Sequence, residues 1–87
     1  MRTLARFEVK LGESRVSMPV ESEIICATGY QEGVSIWVEV DDKDKDFVDR
    51  AFLTIKEGEE IGEKMILNYI GHAFIPSGDV VVVFEIL

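Results

Sequence analysis

Cysteine, histidine, proline and long apolar runs are scarce in this sequence of 87 residues, which has one cysteine, one histidine and two prolines. A single thiol excludes an intrachain disulfide and a zinc site made of several thiolates, and it is typical of a reducing compartment. The longest uninterrupted apolar run, residues 80–84, is far shorter than the roughly 20 residues that span a bilayer. No apolar signal segment follows the first residues. We therefore expect a cytoplasmic protein without membrane contact.

Basic residues are few as well. The sequence has 9 lysines and arginines against 17 aspartates and glutamates, for a formal charge of -8. A protein that neutralises phosphates needs the opposite balance, so direct nucleic-acid binding is not expected. The acidity either serves solubility or imitates a nucleic-acid backbone, and charge alone does not decide between the two.

The apolar content predicts one folded domain over residues 1–87, because 47% of the residues are hydrophobic. The core of so short a chain supplies little net stability, and small domains often bury further apolar surface between copies. We therefore expect a homo-oligomer.

Alternation of apolar and polar residues is the strongest pattern, and it predicts β-strands. Val34, Ile36, Val38 and Val40 form one apolar stripe, while Trp37 faces the polar side. Seven short extended segments with short connections predict an all-β fold, a small antiparallel barrel or sandwich of six to seven strands with at most one short helical turn. The charged residues 41–46 are expected to cap a hairpin. Residues 80–84, apolar on both faces, indicate a central strand or one covered by a partner subunit.

No motif for catalysis, metal binding or phosphate binding is assembled in the sequence. The spacing of Asp42, Asp44 and Asp46 resembles a calcium loop, but Phe47 stands where the turn needs glycine. A site based on imidazole would have to rely on His72 alone. Glycine-rich phosphate loops are absent, which leaves open only a nonstandard nucleotide pocket. We expect no metal, no cofactor and no enzymatic activity, although two of the many carboxylates could still meet in the fold.

Three side chains are ambiguous between packing and binding. Trp37, on the outward face of a strand, either packs on a neighbouring element or anchors an interface or ligand. Arg50 either pairs with Asp49 or Asp41 or holds an anion. His72 is expected on the strand face of its apolar neighbours at positions 70 and 74, packed or partly exposed.

Two further expectations concern the core and the surface. Cys26 lies in an apolar run and is expected to be a buried core residue. Arg2, Arg6 and Arg15 would form a cationic patch if the first two strands pair.

Several short motifs in order resemble a family of small uncharacterised proteins encoded by phages and prophages, and the resemblance covers nearly the whole chain. The motifs are Met18-Pro19, Gln31-x-Gly33, Trp37-x-x-Val40-Asp41, Arg50, Tyr69-Ile70-Gly71 and Phe84-Glu85. The chain departs from the family where Ile55 and Lys56 follow Thr54 in place of Thr-Gly, and where Val82 replaces a histidine. The resemblance implies phage origin and expression in the host cytosol, and it brings no established activity.

Small phage proteins often bind and disable a host factor, which gives three hypotheses. In the first, an oligomer sequesters a nucleotide-like immune signal, with Trp37 or Tyr69 stacking on the base and Arg50 or His72 binding phosphate. In the second, the acidic surface is a decoy that inhibits a host nucleic-acid-binding enzyme or another host defence protein. In the third, the chain is a phage structural or assembly subunit. We expect a non-enzymatic binding protein, with sequestration as the leading hypothesis.

Overall fold

The alternating segments form β-strands throughout the computed structural model, which describes residues 1–87 and contains no helix, and so none that could cross a membrane. The seven strands are β1 (Arg2–Val9), β2 (Gly12–Pro19), β3 (Glu23–Tyr30), β4 (Gly33–Asp41), β5 (Phe47–Lys56), β6 (Leu67–Phe74) and β7 (Val80–Ile86). The prediction of a small all-β fold with six to seven strands is confirmed.

All seven strands belong to one sheet, in the order β1-β4-β3-β6-β7-β5-β2. Neighbouring strands are antiparallel except β3 and β6, which are parallel. The sheet curls until its two edge strands, β1 and β2, approach each other without forming a ladder. The result is a nearly closed barrel, flattened to principal extents of 41 × 32 × 15 Å.

The connection between β4 and β5 does not cap a hairpin, so that prediction is wrong. β4 pairs with β1 on one side and β3 on the other, which leaves no edge for β5. β5 pairs instead with β2 and β7. The charged segment therefore crosses from one part of the barrel to another, and local alternation could not reveal this.

The interior is filled by alternate residues of the curled sheet. Ile36 and Val38 of the predicted stripe are fully buried together with Phe52, Val81 and Val83. β7 lies between β6 and β5, which confirms the prediction of a central strand. Only 17 of the 87 residues are buried, so the core is small for the length of the chain.

Two register shifts change which side chains face outward. The first, between Ile24 and Cys26 of β3, sets Cys26 opposite Trp37, so the thiol is half-buried on the outer side and the core prediction is wrong. The second lies between Tyr69 and Gly71 of β6. It turns Ile70 toward the core. The prediction that His72 shares a face with Ile70 is therefore wrong, while the prediction that it shares a face with Phe74 is confirmed, and both His72 and Phe74 point outward.

Gly71 allows β6 to approach β3 closely. A Cβ atom at this position would lie 2.7 Å from the carbonyl oxygen and 2.9 Å from the amide nitrogen of Ala27. Any side chain would force the two strands apart, because such contacts are far inside van der Waals distance. Gly71 thus lies at the single bridge that joins the two halves of the sheet.

Candidate functional site: an outer aromatic face

Most aromatic side chains of this protein lie outside the barrel. The sequence has five phenylalanines, two tyrosines and one tryptophan, and only Phe52 is fully buried. Five of the others project from the outer side of four adjacent strands, β4, β3, β6 and β7. We call this surface the aromatic face and define it by Trp37, Tyr30, Tyr69, Phe74 and Phe84. An exposed group of aromatic side chains of this kind is a candidate interaction surface.

At one side of the aromatic face, Trp37 and Tyr30 belong to a cluster that spans three strands. Their rings meet edge-on with centroids 6.2 Å apart, and Trp37 Nε1 donates a hydrogen bond to Thr28 Oγ1 at 2.8 Å. The guanidinium carbon of Arg6 lies 4.0 Å from the centre of the Tyr30 ring, and Arg6 Nη1 donates to Ser35 Oγ at 2.9 Å. Trp37 is therefore held in place by its neighbours, and Arg6 is the cation of this cluster.

Sequence reasoning missed Arg6 and Tyr30 as members of a site. The alternation of apolar and polar residues predicts that both side chains face outward. Only the register of β1, β4 and β3 shows that they are in contact. The register also shows that Arg2, Arg6 and Arg15 do not converge, because β1 and β2 do not pair. Arg2 is bound by Glu39 and Glu23 instead. The predicted cationic patch is therefore wrong.

An open groove of about 280 Å³ borders the cluster. It is lined by Arg6, Glu8, Tyr30, Gln31, Glu32, Gly33 and Ser35. One guanidinium and two carboxylates make this lining a poor site for a polyanion, since the carboxylates repel phosphate.

At the other side of the aromatic face, Tyr69 and His72 form a pair. Tyr69 Oη lies 2.9 Å from His72 Nδ1, and the Tyr69 ring meets Phe84 edge-on with centroids 6.2 Å apart. The shift in β6 creates this pair, because it puts residues three apart on one side of a strand. No three His, Cys, Asp or Glu side chains lie close enough together to hold a metal ion. The pair can donate and accept hydrogen bonds at an exposed aromatic surface.

Arg50 lies on the opposite, inner side of the sheet. Its Nε and Nη2 atoms donate to the two oxygens of Glu85 at 2.6 and 2.7 Å, and Nη1 donates to the carbonyl oxygen of Ser22 at 2.9 Å. The prediction that Arg50 pairs with Asp49 or Asp41 is wrong. Its partner is brought in by β7, which lies beside β5 only in the folded sheet.

The four residues predicted to bind a ligand are therefore not brought together. Trp37, Tyr69 and His72 project from the aromatic face, while the donors of Arg50 are engaged inside the barrel. The chain offers Arg6, and not Arg50, as the cation nearest to Trp37.

Charge is distributed unevenly around the barrel. β6 and β7 contain one carboxylate between them, Glu85, and it faces inward. Many of the acidic residues lie close together at the C-terminal end of β4. One contact there is the hydrogen bond that the Glu21 N–H donates to Asp44 Oδ2 at 3.2 Å. We call this region the acidic end and define it by Glu21, Glu23, Glu39, Asp41, Asp42, Asp44, Asp46 and Asp49. Within it, the backbone N–H of Lys43 and then the Met1 amine lower the pKa of Asp41 from its usual value.

A family model described as a domain of unknown function, DUF7352, matches residues 1–86. The chain belongs to the DUF7352 family. The match spans all seven strands, so the aromatic face and the acidic end both lie within the DUF7352 domain. No curated protein and no solved structure matched the chain. The function of this DUF7352 domain must therefore be argued from its own surface.

Proposed function

We propose that this domain is a non-enzymatic protein-binding module whose recognition surface is the aromatic face. The observation that supports it is the outward placement of Trp37, Tyr30, Tyr69, Phe74 and Phe84 on four adjacent strands. Centres of protein interfaces are rich in aromatic residues and poor in Asp and Glu. The outer side of β6 and β7 has this composition in a chain whose formal charge is -8.

The exposed apolar area is large enough for such a role. Phe74, Tyr69 and Tyr30 are 72%, 56% and 40% exposed. At about 200 Å² for a fully exposed aromatic side chain, these three alone present roughly 340 Å² of surface. The largest apolar patch of an ordinary monomer is roughly 300–600 Å² and is often functional. With the half-buried Trp37 and Phe84 added, the aromatic face is at least of that size.

The shape and chemistry of the aromatic face also favour binding over catalysis. The Tyr69–His72 pair has no serine, cysteine or carboxylate bonded to it. The groove beside Tyr30 is open and small. A broad surface with few polar groups suits a protein partner better than a small substrate, which needs a concave pocket.

The test compares two exposed phenylalanines in the purified domain. Phe74→Ser removes the most exposed ring of the aromatic face, and Phe47→Ser is the matched control, because Phe47 is 61% exposed at the start of β5. A partner captured from host lysate by chemical crosslinking should be lost with Phe74→Ser and kept with Phe47→Ser. Equal capture by both variants, with both folded by circular dichroism, would contradict the proposal.

A second candidate is sequestration of a nucleotide-like immune signal by an oligomer of a phage-encoded antagonist of host defence. Its support is that Trp37, Tyr69 and His72 share one outer surface with Arg6, whereas Glu8 and Glu32 beside Arg6 disfavour a phosphate there. Aromatic rings of this kind stack on bases, and a guanidinium binds phosphate. Native mass spectrometry of protein purified from infected cells tests it. A nucleotide mass retained by wild-type protein and lost with Trp37→Ala supports sequestration, and an empty protein contradicts it.

The acidic end supports a third candidate, the decoy, because it gathers eight of the 17 acidic residues. A decoy bound in the basic groove of a nucleic-acid enzyme loses affinity steeply as salt rises. Binding through the aromatic face, which is mainly apolar, should be much less sensitive to salt. A salt titration of the captured complex therefore separates the decoy from the main proposal.

A further inference from the structure

Part of the outer surface of the barrel is covered by the chain itself, and part is not. Leu53 of β5 points outward opposite Phe84, yet it is only 6% exposed. The connection between β5 and β6 lies nearby, since Met65 lines a groove with Ala51 and Ile86. Ile66 also accepts a hydrogen bond from the Leu87 N–H at 2.9 Å. The chain thus covers the outer side of β5, and residues 56–59 border the outer side of β7. The outer side of β6 is left open.

The outer side of β6 and β7 carries no carboxylate of its own, and Glu57 and Glu59 border it in a groove with Val80, Val82 and Phe84. Its outward residues are Tyr69, His72, Phe74, Val80, Val82 and Phe84. Two copies of a chain with a formal charge of -8 repel each other wherever their acidic residues meet. On the outer side of β6 and β7, two copies can approach with carboxylates only at the border, at Glu57 and Glu59.

The polar groups that are present complement themselves. Tyr69 Oη and the His72 imidazole each donate and accept hydrogen bonds, so a second copy related by a two-fold axis can satisfy them. The flat aromatic rings and the valines around them can pack against an identical surface on a second copy. These features fit an isologous contact, in which the same patch serves both subunits.

The available area sets the strength of such a contact. The four strands of the aromatic face, about 4.8 Å apart and about 27 Å long, present roughly 500 Å² in projection, and β6 and β7 supply about half of this area. Two copies packed face to face bury on the order of 1,000 Å² in total, which is near the lower limit for a specific interface. The contact is therefore sufficient for a dimer that forms and dissociates with concentration.

We propose that the aromatic face, centred on Phe74 and Val82 of the β6–β7 hairpin, is the interface of a homodimer. This inference rests on the proposed protein-binding role of the same face and names a second copy of this chain as its partner. A dimer would cover the most exposed aromatic ring in the protein.

Sedimentation velocity of the full chain over roughly 1 µM to 1 mM tests the proposal. Wild-type protein should shift from monomer to dimer within this range. Phe74→Ser and Val82→Asp should each weaken the dimer by about 30-fold or more, the effect of losing one central interface residue. Phe47→Ser is the control and should dimerise as the wild type does. Raising salt from about 0.05 to 0.5 M should strengthen the wild-type dimer, because screening reduces the repulsion between acidic chains.

Two results would overturn the homodimer. One is a wild-type protein that stays monomeric at every concentration, and the other is a dimer that neither substitution weakens. If the wild type is monomeric but still captures a host protein that Phe74→Ser fails to capture, the homodimer is wrong and the protein-binding role stands. If the wild type dimerises through Phe74 while Phe74→Ser captures the host protein normally, the homodimer stands and the binding of that host protein lies elsewhere.

Discussion

Removing one partner of the Arg50–Glu85 pair should destabilise this domain strongly. The two side chains share a bidentate contact at 2.6 and 2.7 Å, and Arg50 also donates to the Ser22 carbonyl at 2.9 Å. Their side chains are 25% and 10% exposed. Arg50→Met would leave the carboxylate of Glu85 without its two charge-assisted hydrogen bonds in a largely dehydrated place. A buried charge without a partner is far more costly than the loss of an exposed pair.

The expected magnitude follows from this burial. Breaking a fully buried pair costs about 3–5 kcal/mol, and the partial exposure of Arg50 places Arg50→Met near about 3 kcal/mol. Glu85→Gln should cost less, about 2 kcal/mol, because the neutral amide oxygen still accepts one hydrogen bond. A domain of this size has a free energy of unfolding of roughly 4–13 kcal/mol, so either loss is readily measured.

The double variant Arg50→Met, Glu85→Leu distinguishes pairing from simple packing. It removes both charges and restores an apolar contact, so its stability should lie within about 1 kcal/mol of the wild type. Urea denaturation followed by tryptophan fluorescence gives the free energies of unfolding for the whole cycle. A cost of less than about 0.5 kcal/mol for Arg50→Met, typical of surface substitutions, would show that the pair does not behave as a buried one. In that case the guanidinium would be free to bind an anion, as the sequence suggested.

Three further substitutions test other parts of the barrel. Gly71→Ala, whose Cβ would lie 2.7 Å from the backbone of β3, should lower the free energy of unfolding by about 2–3 kcal/mol in urea denaturation. The control Gly62→Ala, where the nearest atom is 3.4 Å away, should change it by less than about 0.5 kcal/mol. Thr54→Val should raise the free energy of unfolding by up to about 1 kcal/mol, since Thr54 Oγ1 is buried without a hydrogen bond. A lower free energy of unfolding would contradict this and would mean that the hydroxyl has a hydrogen-bond partner. The pKa of Asp41 lies below its usual value of 3.8, so the stability it contributes is present above that value and is lost as pH falls through the lowered pKa. Asp41→Asn should therefore lose less stability than wild type between about pH 6 and pH 2 in urea denaturation, and equal losses would contradict this.

The strand content of the fold was predictable because it depends on local alternation. β3 begins and ends where the sequence indicates, and Val34, Ile36 and Val38 are buried as expected. The order of the strands was not predictable, since pairing depends on which edges remain free in the folded sheet. The segment after Asp41 shows the difference, because it has the composition of a hairpin loop and yet joins two strands that are not neighbours.

Some features of the candidate site were likewise predictable from the sequence, and others were not. The outward position of Trp37 follows from the period of two, and the structure places it there. The partners of Arg50 and the cluster around Tyr30 depend on contacts between strands far apart in sequence. The positions of Cys26 and His72 depend on one-residue register shifts, which reverse the facing of the side chains that follow and leave no clear trace in composition.

The central place of β7 has a consequence for how the domain is made. The ribosome synthesises β7 after the other six strands, yet β7 joins β6 to β5 and thereby links the β5–β2 pair to the rest of the sheet. Until β7 emerges, β5 and β2 have no connection to the rest of the ladder, and only the β3–β4 hairpin can form from adjacent segments. In the nascent chain the β2–β5 pair therefore stays separate from the other strands, and the complete sheet must wait for β7.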